Sequence, residues 1–528
     1  MRYSSPWPKI AAGCAVVVAS PAIAASPELD ERFQPYEFTA QFGANPLRLI
    51  HFAFSSIPDF LAEGNFRPGG RIVEWSGHDL AGQAIRIGHL PLNLSLGLLR
   101  LAAAAILAFT IVWLVQRLLK QPNEHTDPAL LATISLFVGA SFLVSSIGGP
   151  VNLFPWLYLG TGALTLAATA VFTSADLYEP DRQMSRRRTV AMVLLGIALA
   201  GTNEVTAIAI PLSAVVILVR GLVLDIPLAT LIRLPVARAY LAQLLGFVAL
   251  FIPVRLLIAA ECSDGSCYSD SDFVLSGAYP NTVVGRMATS FLPPQWRAGS
   301  NDPALDAIRD GDLGVVTALF VLLFIPVVVA GWRALAASDT ATKNSSAASH
   351  RDLIAVAAFG VGLVVVTTAL FSTSRSLQEP SLRVGEPWRD SALATPGAAL
   401  ITAAAVVWLS RLVSSRTRVA TRPVIALVAT VAVYLSFVTT WSVGVEAQQD
   451  RERILNNRIA LEVATFEATS EANEQRCELL DEWGQAYHDV DSPNRPAEVS
   501  AALDEFIVYA HGADGFCVRA DDSGQVDE

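Results

Sequence analysis

Lysine is almost missing from this chain. Only Lys9, Lys120 and Lys343 occur in 528 residues, so arginine carries nearly all the positive charge. That bias suggests a GC-rich genome and says nothing about mechanism. Charged residues of any kind are scarce, at 16%, against about 25% in a soluble domain. There is no glycine-rich phosphate loop, no internal repeat and no cluster with metal-ligand spacing; His51, His78 and His89 share one segment without forming a ligand set. These absences exclude an ordinary soluble enzyme and a P-loop nucleotide enzyme. They leave a chain that is 52% hydrophobic, with long apolar runs, which is the composition of a polytopic membrane protein.

The first apolar run, Ile10 to Ala25, is about 16 residues long, short of the ~20 that a spanning helix needs. Ala22-Ile23-Ala24-Ala25 also has the small-residue pattern of a signal-peptidase site. We read residues 1–25 as a first membrane helix or signal-like segment, with the retained helix favoured. Residues 26–92 form a long loop. Its interleaved apolar residues, Phe38, Phe42, Leu47, Ile50, Phe52 and Phe54, predict helices lying on the membrane surface. Further apolar runs fall at 93–118, 129–147, 151–174, 189–202, 205–222, 239–260, 313–335, 353–372, 397–413 and 423–443. With the first helix, the expected fold is all-α and polytopic, with about eleven membrane helices and a transmembrane domain over 93–445.

Basic residues recur at every second connection: Arg117 and Lys120, Arg182 to Arg188, Arg233 and Arg238, Lys343 and Arg351, Arg416 to Arg422. By the positive-inside rule these connections are cytoplasmic. The N-terminus is then inside a plasma membrane, and the first loop, Asn203-Glu204, 261–312, 373–396 and the C-terminal tail lie outside. From Val443 onward there are roughly 20 acids against 6 basic residues, so residues 446–528 form an acidic extracytoplasmic tail and nucleic acid is an unsuitable partner. The tail begins from about 446 as a charged helix, with Ile454, Ile459, Val463 and Phe466 near helical spacing; Pro493 to Pro496 breaks it, and 498–510 form a second. Of five cysteines, Cys262 and Cys267 share one outer loop, and Cys477 and Cys517 share the tail. An oxidising face suits disulfides. Several pairings are open, and loop proximity favours Cys262–Cys267 and Cys477–Cys517.

Acids beside a membrane helix are expensive to hold near lipid and point to sites. Asp30 and Glu31 follow the first apolar run directly. A transferase acting on a hydroxyl needs a carboxylate base within reach of it, and Asp30, Glu31 and Asp59 are the candidates. The plain alternative is a pair of wet loop residues and a structural Asp–Arg pair. Arg67 and Arg71 flank the Pro68-Gly69-Gly70 turn, and a guanidinium fork grips phosphate. Glu204 interrupts an apolar stretch and would face the same space as the first loop. Arg383 and Arg389, with Trp388, occupy the 373–396 loop and suit an anionic, sugar-bearing headgroup.

Asp30-Glu31-Arg32-Phe33, directly after the first helix and ahead of a long outer loop, resembles the signature of the GT-C glycosyltransferase superfamily, as in protein O-mannosyltransferases and lipid A aminoarabinose transferases. Gly64-Asn65-Phe66-Arg67-Pro68 and the Gly385 to Arg389 loop are similar to polytopic GT-C-like proteins of actinobacteria. The resemblance covers residues 1–445. It implies transfer of a sugar from a polyprenyl-phosphate carrier to an envelope glycan or protein acceptor on the outer face. Carried over, Asp30 is the base, Glu31 supports it or binds a divalent cation, Asp59 is the alternative base, and Arg67, Arg71, Arg383 or Arg389 holds the lipid phosphate. Two rival readings stand beside it: a non-catalytic envelope scaffold that binds a partner through its tail, and a transporter or flippase of a lipid-linked sugar.

Overall fold

The computed structural model describes residues 7–24, 29–119, 127–143, 149–262, 267, 274–298, most of 317–333, 349–378, 384–417, 421–449, 451–487 and 494–519. Among these residues there is no strand. The helices of the membrane part are α1 (Trp7–Ala19), α2 (Gln34–Phe42), α3 (Pro46–Ser55), α4 (Ile57–Ala62), α5 (Pro68–Gly88), α6 (Leu92–Leu119), α7 (Pro128–Ser141), α8 (Pro155–Thr169), α9 (Arg186–Ala200), α10 (Glu204–Ala207), α11 (Ala209–Val223), α12 (Leu228–Leu231), α13 (Pro235–Glu261), α14 (Tyr279–Thr289), α15 (Leu292–Ala298), α16 (His350–Phe371), α17 (Arg375–Gln378), α18 (Ser391–Thr417) and α19 (Thr421–Gln449). The tail adds α20 (Arg451–Ala464), α21 (Ser470–Ala486) and α22 (Arg495–His511). Proline stands in the first turn of α2, α3, α5, α7, α8 and α13. There its missing N–H is no loss and its fixed φ favours helix entry.

Seven helices among the described residues are long and apolar enough to cross a membrane: Leu92–Leu119, Pro155–Thr173, Glu204–Val223, Pro235–Glu261, His350–Phe371, Ser391–Val413 and Pro423–Val443. Lys9–Ile23 and Pro128–Ser141 are shorter apolar helices. The outer faces of the long helices expose large apolar residues, among them Leu98, Ile106 and Phe109 on α6 and Leu241, Leu245 and Leu256 on α13. A surface of that kind calls for lipid, not water. The chain is therefore a multi-pass helical membrane protein.

In the bundle α1 packs against α6 and α7, α16 against α18, and α9 against α13. The last pair meets through glycine. A methyl on Gly246 would lie 2.0 Å from the Val193 carbonyl, and one on Gly196 would lie 2.0 Å from that of Gln243. Small residues let helix backbones approach closely, which in lipid supplies much of the association energy.

Three arginines bond from one helix or its end to another. Arg117 Nε donates to Thr173 (3.0 Å), Arg220 Nη1 to the Leu118 carbonyl (2.7 Å) and Arg411 Nη2 to Asp127 (3.0 Å). The first loop and the tail pack on each other elsewhere. Tyr36, Ile85 and Leu96 share a core with Trp483, Leu503, Phe506 and Phe516, and the Tyr36 and Phe506 rings meet edge to face at 5.2 Å. The sulfurs of Cys262 and Cys267, and of Cys477 and Cys517, are at disulfide distance. Two local readings change. Pro68-Gly69-Gly70, expected as a turn, is the first turn of α5, where the two glycines allow close approach to Thr202; Gly64, with φ +79°, lies four residues earlier. The one helix expected between about 446 and Pro493 is divided at 465–469 into α20 and α21, and Leu479, Leu480 and Trp483 of α21 supply part of that core.

Gly246→Ala should lower the thermal midpoint in detergent, by the about 1–3 kcal/mol typical of overpacking. Gly13→Ala, inside α1 where an added methyl meets nothing within 4 Å, should leave it unchanged or raise it slightly, since alanine is the better helix former. Equal midpoints for both variants would show that the α9–α13 contact does not need glycine.

Candidate functional site

The site begins with a backbone contact between two distant segments. α9 ends at Ala200, and its chain turns through Gly201 and Thr202 into α10. The first amides of α5 meet that turn: Gly69 N–H donates to the Gly201 carbonyl (2.9 Å) and Gly70 N–H to that of Thr202 (2.6 Å). The free donors of one helix start thus satisfy the free acceptors at another helix end. A Cβ on Gly70 would lie 2.4 Å from the Thr202 oxygen, so only glycine permits the contact. Arg67, just before these glycines, and Glu204, just after the turn, are brought together.

They line a cavity of ≈ 120 Å³ with Arg389, Trp388, Arg255 and Phe251. Arg389 Nη1 lies 4.0 Å from Glu204 Oε1, and Arg67 Nη2 lies 3.9 Å from Glu74 Oε2. Burial disfavours the charge on Arg67, but Glu74 and Glu204 outweigh it and hold its pKa above the ordinary arginine value. Arg389 also stacks near Tyr158 and Trp388, with ring centroids at 5.7 and 5.2 Å. α13 supplies an apolar wall through Phe251, Val254 and Ile258, while its neighbours Ile252, Leu256 and Leu257 are exposed. Cations and one carboxylate therefore sit at the end of lipid-facing helices, an arrangement suited to an amphipathic anion.

A buried ion pair holds Arg389 in place. Arg286 grips Asp390 with both Nε (2.9 Å) and Nη2, and its Nη1 donates to the Glu386 carbonyl (2.7 Å). Gly385 N–H donates to Thr289 Oγ1 (3.0 Å). The 384–390 segment is thereby fastened to α14.

A second cavity, of ≈ 540 Å³, lies between the first-loop helices and α22, and Arg67 lines it as well. Arg71, Glu74, Phe52, Phe60, Trp75 and Glu505 are among its walls. The Arg71 side chain is only 2% exposed, and its guanidinium lies 3.1 Å from the Phe60 ring centroid. Burial, and then neighbouring Arg67, push its pKa down to about 9.

The predicted site residues part company here. Arg67, Glu204 and Arg389 converge on the first cavity, and Arg71 borders the second. Glu31 lines neither: it is 1% exposed and paired with Arg100 of α6 at 3.1 Å. A guanidinium already neutralises it, which is poor provision for a base or a cation ligand. Asp59 is exposed on α4 and borders neither cavity. The Asp30 side chain and Arg383 lie outside the described residues. Among the described residues no group of three His, Cys, Asp or Glu is placed to hold a metal ion. Glu74, Tyr158 and Phe251 escaped the sequence reading; the Arg71-x-x-Glu74 spacing on a helix was the one signal for the first of them.

Asp390→Asn, by stranding Arg286 in a buried position, should cost about 3–5 kcal/mol, read as a fall in thermal midpoint. The double variant R286M/D390L should recover most of it; a double variant as unstable as the single would refute the ion-pair account.

Compared with protein-family models, curated proteins and solved structures, the chain matches none of them.

Proposed function

We propose that the chain is a GT-C-type membrane glycosyltransferase that moves a sugar from a polyprenyl-phosphate carrier to an envelope acceptor on the outer face. In this reading it crosses the plasma membrane about eleven times, with its N-terminus in the cytoplasm and its tail outside. The observation that carries the proposal is the convergence of Arg67, Arg389 and Glu204 in one cavity above the apolar face of α13. A polyprenyl phosphate has matching parts, an anion for the arginines and a chain for the lipid-facing wall.

The roles follow from the geometry, and the base differs from the one that the motif resemblance implies. Glu204 is the carboxylate that faces the arginines, and its side chain retains 33% exposure. With the phosphate held by Arg67 and Arg389, Glu204 is released from Arg389 to take the proton of the acceptor hydroxyl. The acceptor oxygen bonds to the anomeric carbon, and the bond from that carbon to the phosphate oxygen breaks. The electron pair leaves with the polyprenyl phosphate, where the two guanidinium groups stabilise it. The Glu31–Arg100 pair is structural here, tying the turn after α1 to α6.

In a deletion strain, Glu204→Gln at normal membrane levels should lower transfer by about 10²–10⁴-fold, as expected for loss of a general base. One envelope glycan should disappear while a polyprenyl-phosphate sugar accumulates. Asp59→Asn should behave as wild type. Full restoration of the glycan by Glu204→Gln would end the transferase reading.

A further inference from the structure

We infer that the larger cavity, between the first-loop helices and α22, binds a saccharide that carries an acidic group, a carboxylate or a phosphate, and that Arg71 is its anchor. The inference rests on the transferase reading only in making this saccharide the acceptor; the binding itself does not depend on transfer.

Three observations carry it. The first is the state of Arg71. Its side chain is almost wholly buried, yet both terminal nitrogens lack a hydrogen-bond partner, and it borders the cavity. Buried donors without acceptors cost stability unless a ligand supplies the acceptors. The neighbouring cations are better provided for: Arg67 faces Glu74 at 3.9 Å and Arg495 faces Glu498 at 3.2 Å. Arg71 is thus the guanidinium with a fork to offer, and a carboxylate or a phosphate presents the paired oxygens that fit it.

The second observation is the wall. Phe38, Phe52, Phe60 and Trp75 border the cavity and pack on one another, with ring centroids 5.3–6.4 Å apart in the contacts to Trp75. Apolar ring faces beside polar groups, here the carboxylates of Glu37, Glu74, Glu498 and Glu505 and the amides of Gln34 and Gln41, offer a pyranose what it needs. Its C–H face lies on a ring and its hydroxyls meet polar groups. A bare anion would make no use of the rings, and a neutral sugar would offer no paired oxygens to the two Arg71 nitrogens that lack acceptors.

The third is position. Arg67 borders both cavities. A ligand anchored at Arg71, one helical turn from Arg67, extends toward the cavity that holds Glu204. Acceptor and donor would then meet at Arg67.

The test uses the purified full chain in nanodiscs and calorimetric or saturation-transfer titration with glucuronic acid, glucose 6-phosphate, glucose and inorganic phosphate. One or both acidic sugars should bind at least about tenfold more tightly than glucose, and glucose 6-phosphate at least about tenfold more tightly than inorganic phosphate, each a difference of about 1.4 kcal/mol. Arg71→Gln should abolish the preference for acidic sugars. Glu204→Gln should leave it intact, so that a failed transferase reading and a failed binding proposal give different results. Phe52→Leu, which keeps Arg71, should weaken glucose 6-phosphate severalfold and leave inorganic phosphate unchanged; it decides the matter should Arg71→Gln fail to fold. Glucose binding as well as the acidic sugars would overturn the proposal. So would phosphate alone matching glucose 6-phosphate, or an unaltered preference in Arg71→Gln.

Discussion

Two backbone hydrogen bonds organise the site, those from Gly69 and Gly70 to the carbonyls of Gly201 and Thr202. Each joins a group that a helix end leaves unsatisfied to its complement on another helix end. Gly70 is buried and the other three residues are half-buried, so leaving these groups unpaired is costly. The positive start of α5 also faces the negative end of α9, a favourable alignment of helix dipoles. Everything flanking the contact inherits its position. Arg67 precedes it, Glu204 follows it, and Arg71 and Glu74 lie on the first turns of the helix that it starts.

The charges so gathered are poor candidates for a stabilising role. A buried ion pair roughly breaks even against an apolar replacement, and here the pairs are loose: 3.9 Å for Arg67–Glu74 and 4.0 Å for Arg389–Glu204. Contrast the close pairs, Glu31 with Arg100 and Arg286 with Asp390, which are enclosed and fasten one segment to another. Two populations of ion pair thus divide the labour. Tight ones fix the scaffold, while the loose ones keep guanidinium groups charged and within reach of an incoming anion. The same contrast explains why Glu31, attractive in the sequence as an acid beside a membrane helix, is a weak catalytic candidate in the fold.

Hydropathy made the membrane helices legible, because a bilayer leaves few ways to satisfy a backbone. The cysteine pairs were legible because each pair shares one polar segment, five residues apart in a loop and forty apart in the tail. Arg67, Glu204 and Arg389 could each be named, yet their convergence depends on contacts between segments more than a hundred residues apart, which no local pattern encodes. Pro68-Gly69-Gly70 reads as a turn by composition. It is a helix start because the two glycines are needed for close approach to Thr202, a tertiary requirement that overrides the usual meaning of the pair. The break that sets α21 apart from α20 was missed for a related reason: the short apolar face of α21 is set among acids and gains its meaning only against Phe506 and Phe516.

Arg67 draws these strands together. It borders both cavities, and its guanidinium is held charged by acids on two different segments, Glu74 from its own helix and Glu204 from the turn on which that helix docks. In the proposed transfer, an anion entering the first cavity would compete with Glu204 for Arg67 and Arg389, and so would loosen the carboxylate when the donor is bound. An anion entering the second cavity adds a counter-charge beside Arg71 and relieves its repulsion with Arg67. Binding in either cavity therefore changes the electrostatic environment of the same side chain. Coupling between two ligands needs only that each have a different affinity for the states the other creates. Under the two proposals, a shared arginine would provide that coupling with no larger motion than a change of partners.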